Sequence, residues 1–68
     1  MKVCIVDQGI NHEKRYQIMV RLKNVSGFDH IYPGKLFDLE QAKQICSDNN
    51  YEIEAIGDLW HCLSRKER

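Results

Sequence analysis

Hydrophobic and polar positions alternate most cleanly over residues 16–23. Tyr16, Ile18, Val20 and Leu22 interleave there with Gln17, Arg21 and Lys23. A period of two sends alternate side chains to opposite faces, so this stretch predicts a half-buried strand with those four residues inward. Met19 breaks the pattern and falls on the outer face. Residues 2–7, with the β-branched Val3, Ile5 and Val6, predict a first strand. Asp7, Gly9 and Asn11 supply the turn chemistry of a loop between the two.

Residues 24–36 carry two turn signals, Ser26-Gly27 and Pro33-Gly34. His30-Ile31-Tyr32 between them reads equally as a short third strand or as an ordered loop. Phe28 and Tyr32 are large enough to pack onto whatever lies beneath.

A three-to-four spacing then takes over. Leu39, Ala42, Ile45 and Cys46 make one apolar stripe, and Glu40, Gln41, Lys43, Gln44 and Ser47 make the wet side. Asp38 suits the N-cap and Gln41 completes a capping-box pattern, with Phe37 ahead of them as the hydrophobic staple to Ala42. Asn49-Asn50 suits the left-handed end of a helix. The spacing predicts a helix from Leu39 to Asp48.

The last third predicts a hairpin. Residues 51–56 and 59–64 read as strands, and Gly57-Asp58 suits a two-residue type II′ turn. That register puts Tyr51, Ile53, Ala55, Trp60 and Cys62 on one uncharged face, to be buried under the helix. Glu52, Glu54, Ile56, Leu59, His61 and Leu63 share the other. The resulting fold class is α+β: an antiparallel sheet of four or five strands with one helix on one face, in ββ-α-ββ order. Residues 1–68 form one domain, in which 65–68 are a basic tail and a candidate disordered segment.

Composition narrows the function. At 68 residues the chain buries roughly 60% of its unfolded surface, which leaves little wall for a deep cleft. The expectation is a domain that acts through a surface and is not an enzyme. The longest apolar run near the start is four residues, far short of a signal-peptide core or a membrane span. The expected location is the cytoplasm, the host's if the chain is phage-encoded, with no membrane partner. Cys4, Cys46 and Cys62 are odd in number and widely spaced, unlike a disulfide framework, and read as reduced, buried small hydrophobes.

No chemistry-bearing constellation stands out. The candidate zinc ligands Cys4, Cys46, Cys62, His12, His30 and His61 lack the paired spacing of structural sites. A Cys62 nucleophile has no base, because His61 falls on the opposite strand face. Glu52 and Glu54 share a face but lack a cleft. No catalytic residue, metal or cofactor is therefore expected.

Charge is balanced overall and unbalanced locally. Over residues 38–58 only Lys43 opposes Asp38, Glu40, Asp48, Glu52, Glu54 and Asp58, a local charge of −5. With Ile56 and Leu59 as an apolar centre, Glu40, Glu52, Glu54 and His61 make the candidate partner surface. Met19 with Cys4 or Val6 extends it. The partner this suits is a protein with a basic surface, part of a larger complex. The alternative is direct nucleic-acid binding through Arg15, Arg21, Lys23, Arg65 and Lys66.

The helix start Phe37-Asp38-Leu39-Glu40-Gln41-Ala42-Lys43 and the segment from Tyr51 to Trp60 resemble small phage-borne or mobile-element proteins, some anti-CRISPR inhibitors among them. The resemblance spans roughly half the chain and rests on element order, size and acidic middle. It implies stoichiometric inhibition of a larger nucleoprotein machine, such as a CRISPR effector, by occluding a surface. It carries over no specific residue.

Overall fold

The computed structural model describes residues 1–22 and 27–64. The elements run β1 (Lys2–Asp7), β2 (Tyr16–Arg21), β3 (Phe28–His30), α1 (Leu39–Asp48), β4 (Glu52–Asp58) and α2 (Leu59–Ser64). Among the described residues the strands form one mixed sheet in the order β3-β2-β1-β4. β1 pairs antiparallel with β2 and parallel with β4, and β2 pairs antiparallel with β3. It is a small α+β fold with two helices among the described residues, and the antiparallel sheet expected from the sequence is only partly what forms.

The parallel pairing follows from connectivity. β3 lies at the far edge, and α1 carries the chain back across the sheet to the opposite edge. A strand reached by such a crossover enters from the same end as the strand before it, so β4 runs parallel to β1. The final hairpin is therefore absent. Its second half is α2, started by Asp58, whose Oδ1 accepts the His61 backbone N–H at 2.7 Å. Leu59, Cys62 and Leu63 have helical spacing, a signal that the strand reading of residues 59–64 passed over.

Two layers follow where one was expected. α1 covers one face, where Val3, Ile5, Ile18, Phe37, Ala42 and Cys46 are buried with Tyr16, Val20, Leu39, Ile45, Tyr51 and Ile53 against them. α2 covers the other, where Cys4, Val6, Met19, Ala55 and Cys62 are buried with Phe28 packed alongside. β1 is central and its residues 3–6 are buried on both sides. An unbroken apolar run is what such a strand requires.

The helix α1 has the expected bounds and cap, with the Asp38 side chain accepting from the Gln41 N–H at 2.6 Å. Asn50 closes it in the left-handed region, at φ 58°. β2 stops at Arg21, and Leu22 sits half in solvent, its N–H bonded to the Gly27 carbonyl. The third strand is real but lies at Phe28–His30, and Ile31 and Tyr32 pack beyond it toward α1.

Candidate functional site

The site expected from the hairpin does not assemble as expected. In the β1–β4 ladder Val3 pairs with Ile53 while Cys4 pairs with Ala55, so Glu54 is the extra residue of a β-bulge. The bulge puts Glu54 and Ala55 on the same side, the α2 side. Tyr51 and Ile53 keep to the α1 side, and the single face that was to hold Tyr51, Ile53, Ala55, Trp60 and Cys62 is split between two cores.

Glu54 is thereby removed from the candidate partner surface. Its side chain is 16% exposed, and its Oε1 takes two donors from Arg21, Nη2 at 2.8 Å and Nε at 3.0 Å. The same guanidinium donates to the backbone carbonyls of Cys62 and Leu63 at the end of α2, and lies 5.2 Å over the Phe28 ring. Cys4 Sγ reaches the same Oε1 at 3.7 Å. Arg21 therefore holds β2, the β4 bulge and the end of α2 together. A largely buried carboxylate beneath a helix is costly without a compensating charge, and Arg21 supplies it.

Met19, Cys4 and Val6, expected to extend an exposed patch, are buried beneath α2. Trp60 moves the other way. It was expected under α1 and is 78% exposed, with Leu59 at 47% and Ile56 at 37% beside it in sequence. Trp60 is on the outer side of a short helix whose inner side is Cys62. Glu52, His61 and Glu40 are exposed as expected. Glu40 belongs to α1 and His61 to α2, on opposite faces of the sheet. The ladder nevertheless brings their ends of the helices to one edge of the domain: Asp58 pairs with Asp7, Asp7 with Tyr16, and Tyr16 with Phe37, just ahead of the α1 cap.

That edge is of mixed sign. The loop between β1 and β2 brings His12, Glu13, Lys14 and Arg15 to it. The Arg15 Nε lies 3.4 Å from Asp7 Oδ2 and the guanidinium stands 5.6 Å over the Tyr16 ring. Of the basic alternative surface, Arg21 and Arg15 are thus engaged within the fold. Lys23, Arg65 and Lys66, and with them the basic tail, lie outside the described residues.

The open hollows near this edge are lined by Asn11, His12, Glu13 and Arg15, and by Ile10, His12, Lys14, Gly34 and Leu36. His12 Nδ1 accepts the Lys14 N–H at 3.0 Å, so one ring nitrogen is spent on shaping the loop. His61 lies over Gly57, where any Cβ would come within 2.8 Å of the ring. The three cysteines are buried. Burial pushes the Cys4 thiol up to about 12, helped by the neighbouring Cys62 and Glu54. Cys46 and Cys62 are raised by burial as well. Thiols held neutral in this way are poor nucleophiles. Among the described residues no three His, Cys, Asp or Glu side chains converge on a common point. No helix among them is long and apolar enough to cross a membrane.

Comparison with known protein families, with curated proteins and with solved structures finds no match to this chain.

Proposed function

We propose that the chain is a non-catalytic protein-binding module, an inhibitor or adaptor that occludes a surface of a larger complex. The observation that carries this reading is Trp60, the one tryptophan in the sequence, held 78% exposed at the start of a helix anchored on its other side by the buried Cys62. Exposing an indole forgoes burial worth about 2–3 kcal/mol, which a partner covering it would recover. Tryptophan is among the residues most enriched where binding energy concentrates, and Leu59 and Ile56 add apolar area within five residues of it.

The charged surround plays the lesser part. Asp58 and Glu52 remain available to orient a basic partner, but Glu54 is engaged with Arg21 and the nearby loop carries bases. Weight therefore moves from the acidic balance to the apolar centre. The long edge of β4 is a weaker candidate for strand pairing, because a bulge and an inward-pointing carboxylate at Glu54 are devices that blunt edges. Occlusion of a surface on a larger machine is also the mode of action implied by the resemblance to anti-CRISPR inhibitors.

The test compares the parent with Trp60→Ala and Leu59→Ala in pull-downs from the native host. A protein complex retained by the parent and lost by both variants, with their folds intact by circular dichroism, supports the reading. Salt-sensitive retardation of duplex or single-stranded nucleic acid, unchanged in the Trp60 variant, overturns it in favour of phosphate binding.

A further inference from the structure

Two of the three buried thiols belong together. Cys4, on the central strand, and Cys62, on α2, are 1% and 0% exposed in the same small core. The α2 helix packs directly on β1, and the two side chains belong to one buried cluster of five residues. Both are tied to the Arg21–Glu54 pair: Cys4 Sγ faces Glu54 Oε1 at 3.7 Å, and the Cys62 carbonyl accepts from Arg21. Cys62 Sγ also reaches the Gly57 carbonyl at 3.7 Å, across the junction where β4 becomes α2. Cys46 sits in the other core, beneath α1, away from both.

We propose that Cys4 and Cys62 are a latent dithiol that closes to an intramolecular disulfide with a small-molecule disulfide as oxidant, fastening α2 to the central strand. The reason lies in how α2 is held. It is six residues long, and Cys62 is its only fully buried side chain. A helix of that length has no stability of its own and rests on its tertiary contacts, so local opening of α2 precedes global unfolding. Opening uncovers both thiols at once and leaves Cys46 covered. It also returns them toward ordinary acidity, since burial is the main cause that keeps them protonated. Arg21, whose charge favours both thiolates, stays on β2 beside Cys4.

The chemistry balances with oxidised glutathione. The Cys62 thiolate attacks one sulfur, forming a mixed disulfide and releasing one glutathione thiol. The Cys4 thiolate then attacks the Cys62 sulfur and expels the second. Two protein thiols are oxidised, one glutathione disulfide is reduced to two thiols, and the protein loses two hydrogens. Because the readout is chemical, this inference stands or falls apart from the partner-binding reading.

The experiment incubates the reduced native protein with oxidised glutathione and follows intact mass and peptide maps. The expected product is a monomer lighter by two hydrogens, with the Cys4 and Cys62 peptides joined, and with a raised melting temperature. Cys46→Ser is expected to behave as the parent, and Cys4→Ala to stop at a mixed disulfide on Cys62. A bridge that includes Cys46, a bridge between molecules, or no loss of hydrogens under conditions that oxidise the urea-unfolded protein overturns the proposal. The Cys46→Ser protein keeps the test decisive should Cys4→Ala fail to fold.

Discussion

Arg21 and Glu54 meet over the central strand, two guanidinium nitrogens converging on one carboxylate oxygen at 2.8 and 3.0 Å. The two residues sit on β2 and β4, the strands that flank β1, and are 33 positions apart in the chain. Removing either partner strands the other. Arg21→Met is expected to cost about 3 kcal/mol, the usual consequence of leaving a half-buried charge alone. Glu54→Lys is expected to be worse than Glu52→Lys, which changes an exposed residue. Urea unfolding of the single variants and of Arg21→Met/Glu54→Leu measures this. Recovery in the double variant identifies the pair as the cause, and equal mild effects of Glu52→Lys and Glu54→Lys would contradict the assignment.

Gly57 is required by the helix that follows it. A Cβ there would lie 2.8 Å from His61 Cδ2 and 3.3 Å from His61 Cβ. Swinging the ring away relieves the first contact only, and the second asks α2 itself to shift. Gly57→Ala is expected to destabilise by about 1–3 kcal/mol, as overpacking does. Gly57→Ala/His61→Ala should recover part of this. A thermal melt of Gly57→Ala that matches the parent would place α2 further from β4 than the structure has it.

Stability should fall in alkali. Burial raises the Cys4 thiol from about 9 to about 12, and it raises Cys46 and Cys62 as well. Thiols raised in the folded state bind protons more tightly there than in the unfolded chain. Their contribution is complete below pH about 9, where neither state ionises, and is lost as pH rises toward 12. The urea midpoint should therefore decline from pH 9 upward, and Cys4→Ala should flatten the decline. A midpoint unchanged to pH 11 would mean the thiols are more open to water than the structure shows.

Trp60 offers a direct optical check. With the indole mostly in solvent, native fluorescence should resemble that of the unfolded protein, and acrylamide should quench it freely. Trp60→Ala should change stability by no more than about 0.5 kcal/mol, as for other surface positions. A blue-shifted, protected emission or a loss of several kcal/mol would show Trp60 to be a core residue.

Local signals were legible and remained valid in the fold. Asp38, Gln41 and the stripe Leu39, Ala42, Ile45, Cys46 define α1 because caps and periodicity are settled within a few residues. The alternation of Tyr16, Ile18 and Val20 identified the face of β2 that meets α1, and Met19 was rightly set apart. Glu52, His61, Ile56 and Leu59 were expected at the surface and are there, whereas Glu54 and Trp60 exchanged fates. A strict period of two over residues 51–64 anticipates neither the bulge that turns Glu54 inward nor the helix that turns Trp60 outward.

Residue order dictates two strands and a well-capped helix, and it points to buried thiols. The parallel run of β4 beside β1 and the closing of the second face by α2 arise from the assembled fold. It also brings Arg21 to Glu54 and puts Cys4 and Cys62 in one core. The difference is one of range. Caps and periodicities depend on neighbours a few residues away. The parallel register, the bulge and the two pairs depend on where the α1 crossover delivers the chain, which becomes fixed when β1 is buried on both sides.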